Sequence, residues 1–158
     1  MKRPPGRSNP GLERADAPTL ALSTAPLDAA RLRQVLVFER TLRHLAPAGC
    51  SPEETARAHG AAIAASGLAS SEVQAPLALL RRFAANRSLS AHLTQRLAAL
   101  SARASTDGVA AEQSAEIQTR LAALGDALKS REDGATLRLL EAHSAEILAL
   151  FAATHPGV

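Results

Sequence analysis

The sequence predicts an all-α fold, an antiparallel helical bundle of five to six helices behind a disordered N-terminal tail. Three observations predict it. Alanine and leucine dominate the 158 residues, Trp and Tyr are absent, and Phe occurs only as Phe38, Phe83 and Phe151. Ala and Leu lose little rotamer freedom in a helix, whereas strands favour the β-branched and aromatic side chains that are scarce here. Apolar residues also recur at helical spacing, and Pro, Gly and Asp punctuate them with short loops, which favours antiparallel neighbours. The core that results is built of small side chains and must gain its stability from many close contacts.

Residues 1–24 are rich in Pro, Gly, Ser and charge and carry too little apolar surface to offset the entropy of ordering, so they read as a disordered tail. Residues 25–155 read as one bundle domain. The first helix spans about Pro26 to Leu45, with Leu32, Val35, Leu36, Leu42 and Leu45 on one face, and ends at Pro47 and Gly49. The second opens at Ser51-Pro52-Glu53-Glu54, which offers an N-cap, a proline at the first helical position and the acid of a capping box. It stops at Gly67, a natural left-handed cap. A third is expected from Ser70 or Ser71 to Ala85, starting late or kinking at Pro76. A fourth follows Ser88 or Ser90, with Leu89, Leu93, Leu97 and Leu100 as its stripe. The fifth, after Asp107-Gly108, has the cleanest pattern, Ile117, Leu121, Leu124 and Leu128 in 4-3-4 spacing. The sixth, after Asp133-Gly134, aligns Leu137, Leu140, Ile147, Leu148 and Phe151 and ends at His155-Pro156-Gly157. The words TQRLAAL and SAEI recur as QTRLAAL and SAEI at unequal offsets, which reflects a biased vocabulary and not a solenoid.

A single cysteine, Cys50, excludes an intrachain disulfide, a CxxC pair and a multi-cysteine zinc site. LAPAGC, ending at Cys50, has the outline of the box that precedes a lipidated cysteine. Glu39, Arg40, Arg43 and His44 interrupt the apolar stretch such a signal needs, so Cys50 is read as a free loop thiol. No window is apolar enough for a membrane span, and a cytoplasmic location is expected, with a secreted or surface-associated helical protein as a further reading.

Net charge is +3, unevenly placed. Residues 31–103 carry ten basic and four acidic side chains, and residues 104–158 carry four and eight. Sixteen arginines stand against two lysines, a bias that a GC-rich genome also produces. Between Glu72 and Asp107 there is no acid, while Arg81, Arg82, Arg87, His92, Arg96 and Arg103 form a basic segment that could hold phosphates. Only Phe83 is available there for base stacking, and the acidic fifth and sixth helices offer the same arginines internal partners.

The stretch EAHSAEI carries Glu141, His143 and Glu146. On a continuous helix His143 and Glu146 lie about 60° apart while Glu141 points away, which leaves a two-residue pair and not a metal cluster. Leu139 and Leu150 flank His143 on a second apolar line, the mark of a helix covered on two sides or of a partner surface. A helix-turn-helix around Gly67 fails at Ile63 and Pro76, where a small residue and an apolar helix former are needed. GxSxG, Walker, GxGxxG and HExxH motifs are absent, so no catalytic residue, cofactor or metal is expected. The function expected is a non-enzymatic interaction or assembly module whose partner is another protein or a second copy of the chain. An arginine-dependent nucleic-acid or polyanion binder is the alternative.

Overall fold

A computed structural model describes residues 26–152 apart from residue 105. The tail expected over residues 1–24 and the chain end beyond residue 152 lie outside them. The described residues form six α-helices, α1 (Ala29–Leu45), α2 (Pro52–Ser66), α3 (Gln74–Ser101), α4 (Gly108–Arg131), α5 (Gly134–Ala142) and α6 (Ser144–Ala152), with a single 3-10 turn at Ser70–Glu72.

Four of the helix starts are held by side chains that the local sequence supplies. Asp28 accepts the Arg31 N–H at 2.7 Å. Ser51 Oγ accepts from the Glu54 N–H at 3.2 Å while the Glu54 carboxylate takes the Ser51 N–H at 2.8 Å, a complete capping box. In both Asp-Gly pairs the aspartate is the cap and the glycine the first helical residue. Asp107 Oδ1 accepts from Val109 at 3.0 Å, and Asp133 Oδ1 from Ala135 and Thr136, each at 2.9 Å. Gly67 closes α2 at φ 70°, a conformation open to glycine at little cost.

Two expected boundaries are corrected. The third and fourth helices are one 28-residue helix, α3, in which Pro76 occupies the first turn, where its missing N–H has no intrahelical acceptor to lose. The Asn/Ser stretch at residues 86–90 does not break it. Asn86 Nδ2 donates across to the Leu124 carbonyl at 2.9 Å, and the Thr94 hydroxyl donates to the Ser90 carbonyl at 2.8 Å. Polar groups that would otherwise form local turns are thus occupied within and between helices. The sixth helix, expected to be continuous, is interrupted at His143 (φ −109°, ψ 13°). The His143 N–H reaches the carbonyls of Leu139 and Leu140, and the Ile147 N–H reaches the His143 carbonyl at 3.0 Å. These bonds carry the register across, so Leu140, Ile147 and Phe151 all stay buried on one side.

The helices divide into a body and an arm. In the body, α1 and α2 form a hairpin whose α1 meets α3, and α6 packs along α3. Leu32, Leu36, Phe38, Leu80, Phe83, Leu140 and Ile147 are the fully buried centre of one continuous cluster. Ala84 is the last residue of α3 to join it. From Ala85 to Ser101 the helix runs on for about 25 Å at 1.5 Å per residue. There α4 is its main helical partner, Arg87 reaches Glu141 of α5, and Leu93, Ala110, Ser114 and Ile117 are the buried seam. No described helix is long and apolar enough to cross a membrane.

Candidate functional site

The basic segment lies mostly on α3, and the structure supplies most of its arginines with carboxylates from elsewhere in the chain. Arg82 meets Glu132 at 3.3 Å, Arg87 pairs with Glu141, and Arg81 lies 3.9 Å from the buried carboxylate of Glu39. Arg103 stands 3.7 Å from Asp107. Arg87 also lies over the ring of Phe83, 5.5 Å from its centroid. Among the described residues only His92 and Arg96 of the six have no ion-pair partner. Both are exposed on the arm. The charge asymmetry of the sequence is therefore largely spent in joining α3 to α1, to the end of α4 and to α5.

EAHSAEI resolves into two separate contacts. Glu141 turns to Arg87, whereas His143 Nδ1 lies 3.4 Å from Glu146 Oε2, and Glu146 also takes Arg40 of α1. Leu139 and Leu150 are half-buried and rest on the core cluster, with half-buried His143 at the break between α5 and α6. The second apolar line thus packs inward more than it faces solvent. No group of three or more His, Cys, Asp or Glu able to hold a metal comes together among the described residues.

Two carboxylates have acidities displaced from the ordinary range, and both belong to helix caps. Glu54 is held low by the backbone and side-chain donors of Ser51, and Asp133 by those of Thr136. Displaced acidity here marks helix starts and not a reactive site. Glu39 is buried, with Arg43 Nε donating to one carboxylate oxygen at 2.8 Å and Arg81 nearest the other. Cys50 is half-buried in the α1–α2 loop, beside an open depression that it shares with Pro52, Thr55, Ala56 and His59. His59 is edge-on to Phe38, with centroids 5.3 Å apart.

An apolar-lined concave feature lies where the arm leaves the body. It is a groove of about 370 Å³ between α3 and α4. Leu79 and Leu89 line it from α3, Leu124 and Leu128 from α4, and Arg82 and Arg131 stand at its rim. Leu89 is 47% exposed. Sequence reasoning placed Leu89, Leu124 and Leu128 in helix seams, but it did not single them out, nor Arg131. The signal available was the 4-3-4 spacing of the fifth helix, which marks one half of the groove. No protein-family model, curated protein or solved structure matches the chain.

Proposed function

We propose that the protein is a non-catalytic interaction module that binds another protein through the side of its two-helix arm. The supporting observation is the groove at the arm's base, where Leu89 is exposed and Leu124 and Leu128 are half-buried beside the buried Leu79. Clefts of this size between helices, apolar with a few polar groups at the rim, are common sites for a partner's side chains. Nucleic-acid binding is the weaker alternative, because Arg81, Arg82, Arg87 and Arg103 already face carboxylates of their own chain.

The test is affinity purification on the immobilised full chain from nuclease-treated extract, followed by mass spectrometry and by assay of retained nucleic acid before nuclease. A protein retained in stoichiometric amount at moderate salt supports the proposal. Retention of nucleic acid alone, or of no macromolecule, overturns it.

A further inference from the structure

We infer that the groove and the arm face continuous with it form a docking site for an amphipathic helix bearing acidic side chains beside its apolar stripe, supplied by a partner protein. The inference rests on the interaction reading above and deepens it by giving the partner's chemistry.

The face can be traced from residue to residue. Leu89 lines the groove, and Arg96 stands two helical turns further along α3, within about 20° of the same direction. His92 lies between them in sequence and on the same flank, at about 60° from Leu89. Across the groove Leu124 and Arg131 both line it from α4. A short apolar track therefore lies at the base of the arm, lined by Leu89, Leu124 and Leu128, with Arg131 at its rim and His92 and Arg96 farther along α3.

The charge balance of that flank decides what fits. Arg82 is answered by Glu132, and Arg120 by Glu116 at 2.6 Å. Arg96 and Arg131 have no carboxylate partner among the described residues, and His92 adds a third group able to carry positive charge. Arg131 lines the apolar groove and Arg96 stands two turns beyond it on the Leu89 flank, an arrangement in which a bound helix lays leucines into the groove and carboxylates onto the cations. Such rim pairs steer association and reject partners of the same sign more than they add affinity. A second copy of the chain is a poorer occupant, because apposing this flank to itself brings the same unanswered arginines together. A polyphosphate backbone would satisfy the arginines but would leave the apolar track uncovered.

The probe is a synthetic helical peptide of about 18 residues, with leucines at i, i+3, i+4 and i+7 and glutamates flanking them. Its controls are the same peptide with lysines for glutamates and a 20-base-pair DNA duplex. Binding to the full chain is measured by fluorescence anisotropy at two salt concentrations. The acidic peptide is expected to bind, and the lysine peptide and the duplex to bind at least about tenfold more weakly. Leu89→Gln is expected to weaken the acidic peptide by about tenfold or more, with helicity by circular dichroism unchanged because Leu89 is already half exposed. The double variant Arg96→Glu and Arg131→Glu should exchange the preference, losing the acidic peptide and gaining the lysine one. That exchange cannot come from unfolding.

Equal binding of the two peptides, an unchanged preference in the double variant, or tighter binding of the duplex overturns the inference. So does light scattering that shows a dimer dissociated by Leu89→Gln, since the groove would then be filled by a second copy. A protein retained by the full chain in the affinity experiment alongside failure here overturns the acidic-helix inference alone. Failure of both removes the interaction reading as well.

Discussion

The body and the arm are made from the same amino acids in different packing. In the body α1, α5 and α6 each meet at least two other helices while α2 packs mainly on α1, and residues such as Leu80 and Phe83 are enclosed on every side. In the arm α3 and α4 pack chiefly on each other, so a narrow seam at Leu93, Ala110, Ser114 and Ile117 is buried while the leucines beside it remain partly open. A two-helix pair cannot cover both flanks of its own seam, because each helix has only one neighbour. Stability therefore concentrates in the body, and uncovered apolar surface concentrates in the arm. The boundary between them is a single continuous helix, so the arm is held at its base by α3 itself, by Asn86 and by the Arg82–Glu132 pair.

The largest effect that would break this contrast is expected at Phe83, fully buried and the last large residue α3 gives to the core. Phe83→Ala removes the ring, leaves a cavity and strips Arg87 of the face it lies over. A loss of about 4 kcal/mol is expected in chemical denaturation. A loss below about 1 kcal/mol would mean that the body does not carry the stability. Ile117→Ala makes the equivalent deletion in the arm. Its cavity opens toward solvent and can collapse, so about 2 kcal/mol is expected. Hydrogen exchange should accelerate in α4 and the second half of α3 first, while α1 and α2 stay protected. Uniform acceleration throughout would show that body and arm open as one unit.

Asn86→Ala tests the hinge between the two regions. It removes the bond to the Leu124 carbonyl, worth about 1 kcal/mol, but Leu124 keeps its place in the α4 ladder and alanine is the better helix former. A net loss of about 0.5 kcal/mol is expected, together with faster exchange confined to the arm.

How much of this was legible in the sequence follows the same division. The caps were legible because they are local. Ser51, Pro52 and Glu54 act within one turn, as does Gly67. The Asp-Gly pairs marked boundaries correctly, although they proved to be helix openings more than breaks. The continuity of α3 was hidden, because Asn86 and the serines after it read as turn formers until the Leu124 carbonyl is known to hold the Asn86 amide across the helix pair. The basic row was visible, but the carboxylates that answer it come from Glu39, Glu132 and Glu141, and only the fold brings those near. The groove was least visible. Its walls are far apart in sequence, and Leu89 resembles any other seam leucine until the structure shows it partly uncovered.

The smallest expected effect lies at the start of α2, and its sign follows from proton linkage. Ser51 bonds the Glu54 carboxylate more strongly when it is charged than when it is protonated, which holds the folded-state acidity of Glu54 below its ordinary value of 4.5. The unfolded chain then binds the proton more tightly than the folded one. The capping contribution is thus fully present above about pH 4.5 and fades as pH falls through the lower folded value. Glu54 is fully exposed, so water screens the interaction and the change is small. Measured as thermal midpoints, wild type should exceed Glu54→Gln slightly at pH 6, and the gap should narrow toward pH 3. A gap that widened on acidification would contradict the capping geometry. Asp133, held low by Thr136 at the start of α5, should behave in the same direction. Both carboxylates open body helices, so acid is expected to loosen the region that otherwise carries the stability.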